Sequence, residues 1–309
     1  MTSPFPTLQE GYLRAELLAI WKPLLNASTL GVDDDFFEKG GDSLLATEMV
    51  QEAERRLGVA IPDSLLFEAS TARRLAEALS RSSDMERKLV FSVTESEGVT
   101  PLLFFHGDWT NGGFYLKDFA RVLGPGLPVA GVAPHGIGGE RVPPSVHEMA
   151  AERLPHILEF QPHGPFRLAG HCVGGLVALE TARLLLVAGH DVELVAMIDP
   201  IWTAAGQPWP LLDGYVEEYP SGPFPEITAT PESWQCYVEA LALYTPEPLP
   251  VPLLVLASAY DGKPWRAVSP DFTLFERPGT HFDFVTHRVD VFAARVREHL
   301  ERVTDQIRL

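Results

Sequence analysis

The sequence predicts a small α-helical bundle followed by a larger domain in which helices cover a parallel sheet, with a proline-rich insertion before the fifth strand. Three observations predict it. Apolar residues recur at helical spacing through the first 80 positions, short apolar runs alternate with amphipathic stretches from residue 89 onward, and the polar, aperiodic segment Ser80-Arg81-Ser82-Ser83-Asp84-Met85-Glu86-Arg87-Lys88 separates the two patterns. With 309 residues, 46% of them hydrophobic, the chain is long enough to bury a substantial core. Residues 1–88 carry 15 acidic and 10 basic side chains (−5) and the rest 27 and 14 (−13), so the net charge of −18 is spread over both units. That balance argues against electrostatic binding of nucleic acid or an anionic membrane surface. Two cysteines, no apolar stretch of transmembrane length and no basic-plus-apolar leader at the first residues predict a reducing, cytoplasmic location without disulfides.

In the first unit Leu13, Leu17, Trp21 and Leu24 lie at helical spacing, as do Leu45, Met49, Ala53 and Leu57, and then Leu75 and Leu79, which gives three or four short helices. So small a bundle has few concave surfaces and suits carrying or docking better than catalysis. Asp33-Asp34-Asp35-Phe36-Phe37-Glu38-Lys39-Gly40-Gly41-Asp42 leads into Ser43, which opens a helix. Composition alone assigns Ser43 the role of N-cap, because its hydroxyl suits a free N–H of the first turn.

In the second unit five apolar runs alternate with amphipathic helices: Leu102 to Phe105, Val129 to Val132, Phe166 to Ala169, Leu194 to Ile198 and Leu253 to Leu256. Ligands bind at the carboxyl ends of such strands, and Asp108, Cys172, Asp199 and Asp261 each follow a run. Gly170-His171-Cys172-Val173-Gly174-Gly175 has the glycine frame of a nucleophile elbow, where a sharp strand-to-helix turn leaves no room for side chains two residues either side of the nucleophile. Sulfur stands where serine oxygen is usual. A helix from about Val173 to Ala188 aims its N-terminal dipole at the sulfur, and the elbow exposes it, so Cys172 is expected to be a reactive thiol rather than a buried structural cysteine.

Nucleophile, acid, then histidine is the chain order of the α/β-hydrolase fold, so Cys172, Asp199 and His281 form a candidate triad. His281 lies in Pro278-Gly279-Thr280-His281-Phe282-Asp283 just before the last helix, where it would take the thiol proton or stabilise thiolate as imidazolium. Asp199 would fix its tautomer. Asp261 after the fifth run is the rival acid, although Asp-Gly is also an ordinary turn. The oxyanion hole is expected to combine the N–H of Val173 with that of Asp108 in the loop after the first run. Residues 201–250 hold nine of the 27 prolines and the tryptophans Trp202, Trp209 and Trp234, with one helix from Glu232 to Tyr244, and read as a lid; Cys236 in that helix reads as structural.

Gly40-Gly41-Asp42-Ser43-Leu44-Leu45-Ala46, preceded by Phe36-Phe37, resembles the modification site of peptidyl carrier domains of nonribosomal peptide synthetases. By that resemblance Ser43 carries 4′-phosphopantetheine, attached by a phosphopantetheinyl transferase, and Leu44 and Met49 become partner-contact residues, although core packing explains Met49 equally well. Gln161-Pro162-His163-Gly164-Pro165-Phe166-Arg167-Leu168-Ala169-Gly170 before the elbow and Leu176-Val177-Ala178-Leu179-Glu180-Thr181-Ala182-Arg183 after it resemble the terminal type I thioesterase domain of the same synthetases. That family keeps its acid after the strand following the elbow, which supports Asp199; the departure is Cys172, where most members carry serine. The resemblance implies a carrier domain over residues 1–82, a linker over 83–90 and an α/β-hydrolase thioesterase domain over 91–309 with its lid at about 201–250. It also implies upstream condensation and adenylation domains as partners, an acyl or peptidyl thioester as substrate, and no metal.

A serine elbow converts a thioester into a less activated ester, whereas a cysteine keeps thioester activation for a weak second nucleophile or a strained ring. Release by lactone, lactam or macrocycle formation is therefore expected beside hydrolysis. A proofreading thioesterase and an acyl-binding docking module without release activity are the alternatives, and an intact candidate triad fused to a carrier favours release.

Overall fold

The computed structural model describes residues 10–59, 61–81, 88–107, 113–136, 140–200, 231–258, 262–279, 281, 284 and 288–307. The helical periodicity of the first unit becomes four helices, α1 (Glu10–Leu24), α2 (Ser43–Leu57), α3 (Asp63–Glu68) and α4 (Ala72–Arg81). Leu13, Leu17, Ile20 and Trp21 of α1 are buried in one cluster with Ala46, Met49, Val50 and Ala53 of α2 and Leu75 of α4. Trp21 and Phe36 meet edge to face at 5.1 Å in its centre, a geometry worth about 0.5–1.5 kcal/mol beyond area burial. Asp42, not Ser43, caps α2: its Oδ1 accepts from the Leu45 N–H at 2.8 Å. Ser43 is the half-buried first residue of the helix, so the capping role that composition assigned to it is filled by its neighbour. Met49 is fully buried, which core packing explains, while Leu44 is 47% exposed beside Ser43.

The second unit is a seven-stranded sheet. Its strands are β1 (Val90–Ser92), β2 (Leu102–Phe105), β3 (Val129–Val132), β4 (Phe166–His171), β5 (Val192–Ile198), β6 (Leu253–Ala257) and β7 (Phe272–Glu276), in spatial order β1-β3-β2-β4-β5-β6-β7. β1 pairs antiparallel with β3 at one edge and every other pair is parallel. β2, β3 and β6 are buried along their whole length because helices cover both faces. On one face lie α6 (Val146–Phe160), α7 (Val173–Val187) and α8 (Pro231–Leu243); on the other, α5 (Tyr115–Leu123) and α9 (Val289–Ile307). The two edge strands are the ones that no apolar run announced: β1 has three residues, and β7 is only half-buried. Residues 201–230, the larger part of the expected lid, lie outside the described residues, as do Asp108, Asp261 and most of the expected linker. Among the described residues no helix is long and apolar enough to cross a membrane.

One apolar cluster runs from Leu13 in the bundle to Leu300 on α9 and so spans both units. Phe67 at the end of α3 is the link, stacked on Phe114 at 5.2 Å and tilted against Phe91 at 4.9 Å. Lys117 of α5 reaches the same place, its Nζ 5.1 Å from the Phe37 ring centre and 5.5 Å from that of Phe67.

Glycine lets the turn between β4 and α7 pack against β2. A Cβ built on Gly174 would overlap the Phe105 carbonyl, whose carbon would lie 2.8 Å away, and one on Gly107 would lie 2.6 Å from the His171 carbonyl oxygen. Backbone atoms on a central strand cannot step aside cheaply, and overpacking of this kind costs about 1–3 kcal/mol. Gly174→Ala should therefore lower the melting temperature by several degrees in a thermal scan, at about 2–4 °C per kcal/mol for a domain of this size. A wild-type melting temperature would show that the elbow is looser than these contacts imply.

Candidate active site

The sheet delivers the candidate residues to one end. Cys172 follows β4 and precedes α7 with φ 58° and ψ −129°, a backbone conformation that side chains other than glycine rarely adopt. Its N–H donates to the Ile198 carbonyl at 2.9 Å. Asp199 follows β5, also at positive φ (42°), and its N–H donates to the Leu256 carbonyl at 2.8 Å. Two left-handed residues at adjacent strand ends, neither of them glycine, are the kind of local strain that collects at functional sites.

Burial differs from what the sequence led us to expect. The elbow should expose the nucleophile, yet Cys172 is 1% exposed, and Gly107 approaches so closely that a Cβ there would lie 2.6 Å from the His171 carbonyl oxygen and 3.1 Å from the Cys172 Cβ. Cys236 on α8 is the more accessible thiol.

His281 is brought to the elbow through His171. The two rings stack at 4.8 Å with 21° between their planes, and His171 Nε2 donates to the His281 carbonyl oxygen at 3.3 Å. Phe284, 5.0 Å from the His171 ring, and Tyr115, 6.4 Å away, close the stack with aromatic surface. Burial, with the adjacent His171 ring as a second cause, holds the His281 imidazole well below the usual histidine range, and burial lowers His171 itself to about 4. At neutral pH both rings are uncharged. An imidazole held neutral can serve as a general base toward a thiol but does not supply the positive charge of a standing thiolate–imidazolium pair.

Asp199 is fully buried and gripped from β6: the Ser258 N–H donates to Oδ1 at 2.5 Å and the Ser258 hydroxyl donates to Oδ2. This grip orients the carboxylate and lowers the cost of keeping a charge out of water. Val173, expected as an oxyanion donor, is the first residue of α7, where N–H groups point out of the helix end. A small cavity of about 20 Å³, room for about one water, lies beside it, lined among others by Gly107, His135, Arg153, Val177 and Tyr237. Its wall is rigid. Arg153, 3% exposed, donates to the carbonyls of Ala133 (2.8 Å) and Pro134 (3.1 Å) and to Glu140 (3.2 Å), while the Tyr237 hydroxyl accepts from the His135 N–H and donates to its carbonyl. Burial, with Arg153 and Arg141 as further causes, lowers His135 to about 3, so it too is neutral.

Sequence reasoning missed His171, Ser258, Arg153 and Tyr237. His171 was legible inside the elbow motif; the other three act through tertiary contacts that no local pattern announces. For Ser43 the fit to a covalent arm is good: the residue stands at the head of α2 with its capping duty taken by Asp42, next to exposed Leu44.

Residues 15–79 match the phosphopantetheine attachment site family and residues 100–214 the thioesterase domain family. Indigoidine synthase of Dickeya dadantii (strain 3937) is 35% identical over 191 residues, 61% of this chain and 13% of that protein. Enterobactin synthase component F of Escherichia coli (strain K12) is 28% identical over 216 residues, 69% of this chain and 16% of that protein. The chain thus spans about an eighth to a sixth of these relatives. Among solved structures, a four-domain nonribosomal peptide synthetase bound to AMP and glycine superposes with a TM-score of 0.58 at 22% identity, over 98% of this chain and 26% of that one. The NocB thioesterase domain, in covalent complex with a nocardicin G analogue, gives 0.54 at 22% identity over 65% and 94%. The chain joins a phosphopantetheine-bearing carrier domain to a thioesterase domain of α/β-hydrolase fold.

If Asp199 and Ser258 act as one unit, turnover of a soluble acyl thioester should fall by orders of magnitude in Asp199→Asn and less in Ser258→Ala, with the double variant no slower than Asp199→Asn alone. Additive losses would separate the two residues, and collapse in Asp261→Asn with normal Asp199→Asn would move the acid to Asp261. If His281 acts as the base, its lowered pKa places the acid limb of kcat/KM for that substrate below the ordinary histidine range. An acid limb centred on the ordinary histidine value of about 6.5 would mean a solvated ring.

Proposed function

We propose that this carrier–thioesterase didomain releases the acyl or peptidyl product of a nonribosomal peptide synthetase, with Cys172, His281 and Asp199 as catalytic residues and Ser43 as the site of modification. The observation that carries the reading is the left-handed Cys172 at the head of α7, next in the chain to His171, whose ring stacks on His281, in the same chain as a carrier domain. The phosphopantetheine arm on Ser43 supplies a thiol that presents the acyl group as a thioester. Cys172 Sγ attacks the thioester carbonyl carbon while its proton passes to His281, and negative charge grows on the carbonyl oxygen. The N–H of Val173, aided by the α7 dipole and the N–H of Asp108, stabilises that oxygen. When the carbon–sulfur bond of the substrate breaks, His281 returns its proton to the departing thiolate. Asp199, held by Ser258, keeps the imidazole in one tautomer throughout.

The second step reuses the same groups. His281 removes a proton from water, or from a hydroxyl or amine of the acyl chain itself, and the new nucleophile displaces Cys172 to give an acid, a lactone, a lactam or a macrocycle. Exchange of one thioester for another is nearly thermoneutral, so the acyl-enzyme keeps driving force that an ester would have lost. Covalent linkage of the carrier favours release of its own cargo over proofreading of separate carriers. Condensation and adenylation domains upstream and a phosphopantetheinyl transferase complete the set of partners.

Peptide-level mass spectrometry after treatment with a phosphopantetheinyl transferase and acyl-coenzyme A tests the reading. Ser43→Ala should gain no arm, Cys172→Ala should hold the acyl group at Ser43, and the wild type should pass it to Cys172 and release it. Cys172→Ser should acylate but stall or hydrolyse at the second step. Unchanged release by Cys172→Ala would remove Cys172 from the chemistry, and an equal rate of the same cyclic product from Cys172→Ser would remove the reason for the thiol.

A further inference from the structure

The seam between the two units holds a charge that burial disfavours. Lys117 on α5 is partly buried, and loss of water is the main cause that pushes its ammonium below the usual lysine range, with Asp35 of the bundle opposing. Its partners at the seam are the Val93 carbonyl, to which Nζ donates at 3.1 Å, and the faces of Phe37 and Phe67. Phe37, Phe67 and Asp35 all belong to the carrier domain, whereas Lys117 and Val93 belong to the sheet domain. Asp35 is fixed by its own loop, accepting from the N–H groups of Phe37 (2.9 Å) and Glu38 (3.1 Å) and from the Ser70 hydroxyl, so it is a preset charge rather than a flexible one. Next to this cation, Phe67 is 6% exposed between Phe91 and Phe114, which makes it an aromatic anchor seated in a pocket of the other unit.

We propose that Phe91, Phe114 and Lys117 form the socket through which the thioesterase domain selects its carrier, with Lys117 as the specificity-determining residue; the proposal rests on the transfer of cargo between the two units described above. Selection follows from the energetics of a desolvated cation. Two ring faces and a preset carboxylate compensate Lys117 when this carrier is docked, and a carrier lacking them would leave the ammonium partly buried with a carbonyl as its main partner. That arrangement rejects the wrong partner as well as holding the right one. It also keeps the contact modest in strength, since cation–π attraction is roughly balanced by desolvation, and a carrier that must visit other domains needs a contact it can leave.

Hydrogen exchange on the 309-residue chain without the arm reads docking without any catalysis, and transfer assays then connect docking to function. In Lys117→Glu, amide exchange in 63–68 and 113–120 should accelerate at least tenfold, and acyl transfer from Ser43 to Cys172 should slow at least tenfold while turnover of a soluble N-acetylcysteamine thioester is retained. Phe67→Leu should show the same loss, and adding Lys117→Met to it should restore most of the protection by removing the uncompensated charge. Wild-type exchange and transfer in Lys117→Glu would overturn the proposal, as would faster exchange with unchanged transfer, or a double variant worse than Phe67→Leu alone. Loss of soluble-thioester turnover in the wild type would instead refute the catalytic reading and leave the exchange result to decide the socket.

Discussion

The Cys172 N–H donates to Ile198 O at 2.9 Å and the Asp199 N–H to Leu256 O at 2.8 Å, two rungs of one parallel ladder across β4, β5 and β6. The chemistry hangs on that register. Each rung sets where a strand stops, so the thiol, the carboxylate and the Ser258 hydroxyl emerge at neighbouring strand ends, where Ser258 can then hold Asp199. A one-residue slip in β5 would reverse the face of every side chain along it. Full burial of β2, β3 and β6 makes such a slip costly, because the apolar residues on both faces would lose their neighbours together.

Around this frame the polar groups are mostly kept uncharged or tightly paired. His135, His171 and His281 are all buried with lowered pKa values, while Asp199 and Arg153 have hydrogen-bond partners. A site built this way has little water to reorganise when charge develops on a reacting carbonyl oxygen, which is where preorganised N–H groups act most strongly. It also explains why a cysteine in an elbow is buried. The glycines that allow the turn equally allow Gly107 to pack directly against it.

Much of this was legible from the residue pattern because it depends on local rules. The five buried runs, the helix after the elbow and the helix near residues 231–243 are periodicity and length; Gly170 and Gly174 are steric necessities that leave a mark in any sequence. What escaped detection depends on partners distant in the chain. Ser258 is an unremarkable serine until β6 is laid beside β5, and Arg153 looks like an ordinary surface charge on an amphipathic helix until the Ala133 and Pro134 carbonyls are found beneath it. β1 and β7 failed to announce themselves because edge strands are short or half-solvated, which dilutes the apolar signal. Ser43 is the opposite case, since composition pointed to capping and only the motif around it pointed elsewhere; the hydrogen bond from the Leu45 N–H to Asp42 gives the capping role to its neighbour.

The apolar cluster that continues from Leu13 to Leu300 ties the folding of the bundle to its place of rest. A bundle with four short helices has a small core of its own, and the aromatic seat of Phe67 adds burial that exists only while the two units touch. By mass action, whatever binds the folded bundle and not the unfolded chain raises its stability, so the sheet domain acts as a tethered ligand at high effective concentration. Undocking of the bundle would then carry a thermodynamic penalty on its own fold, and return would be favoured. The position of the bundle against the sheet is in this way written into the stability of the bundle itself.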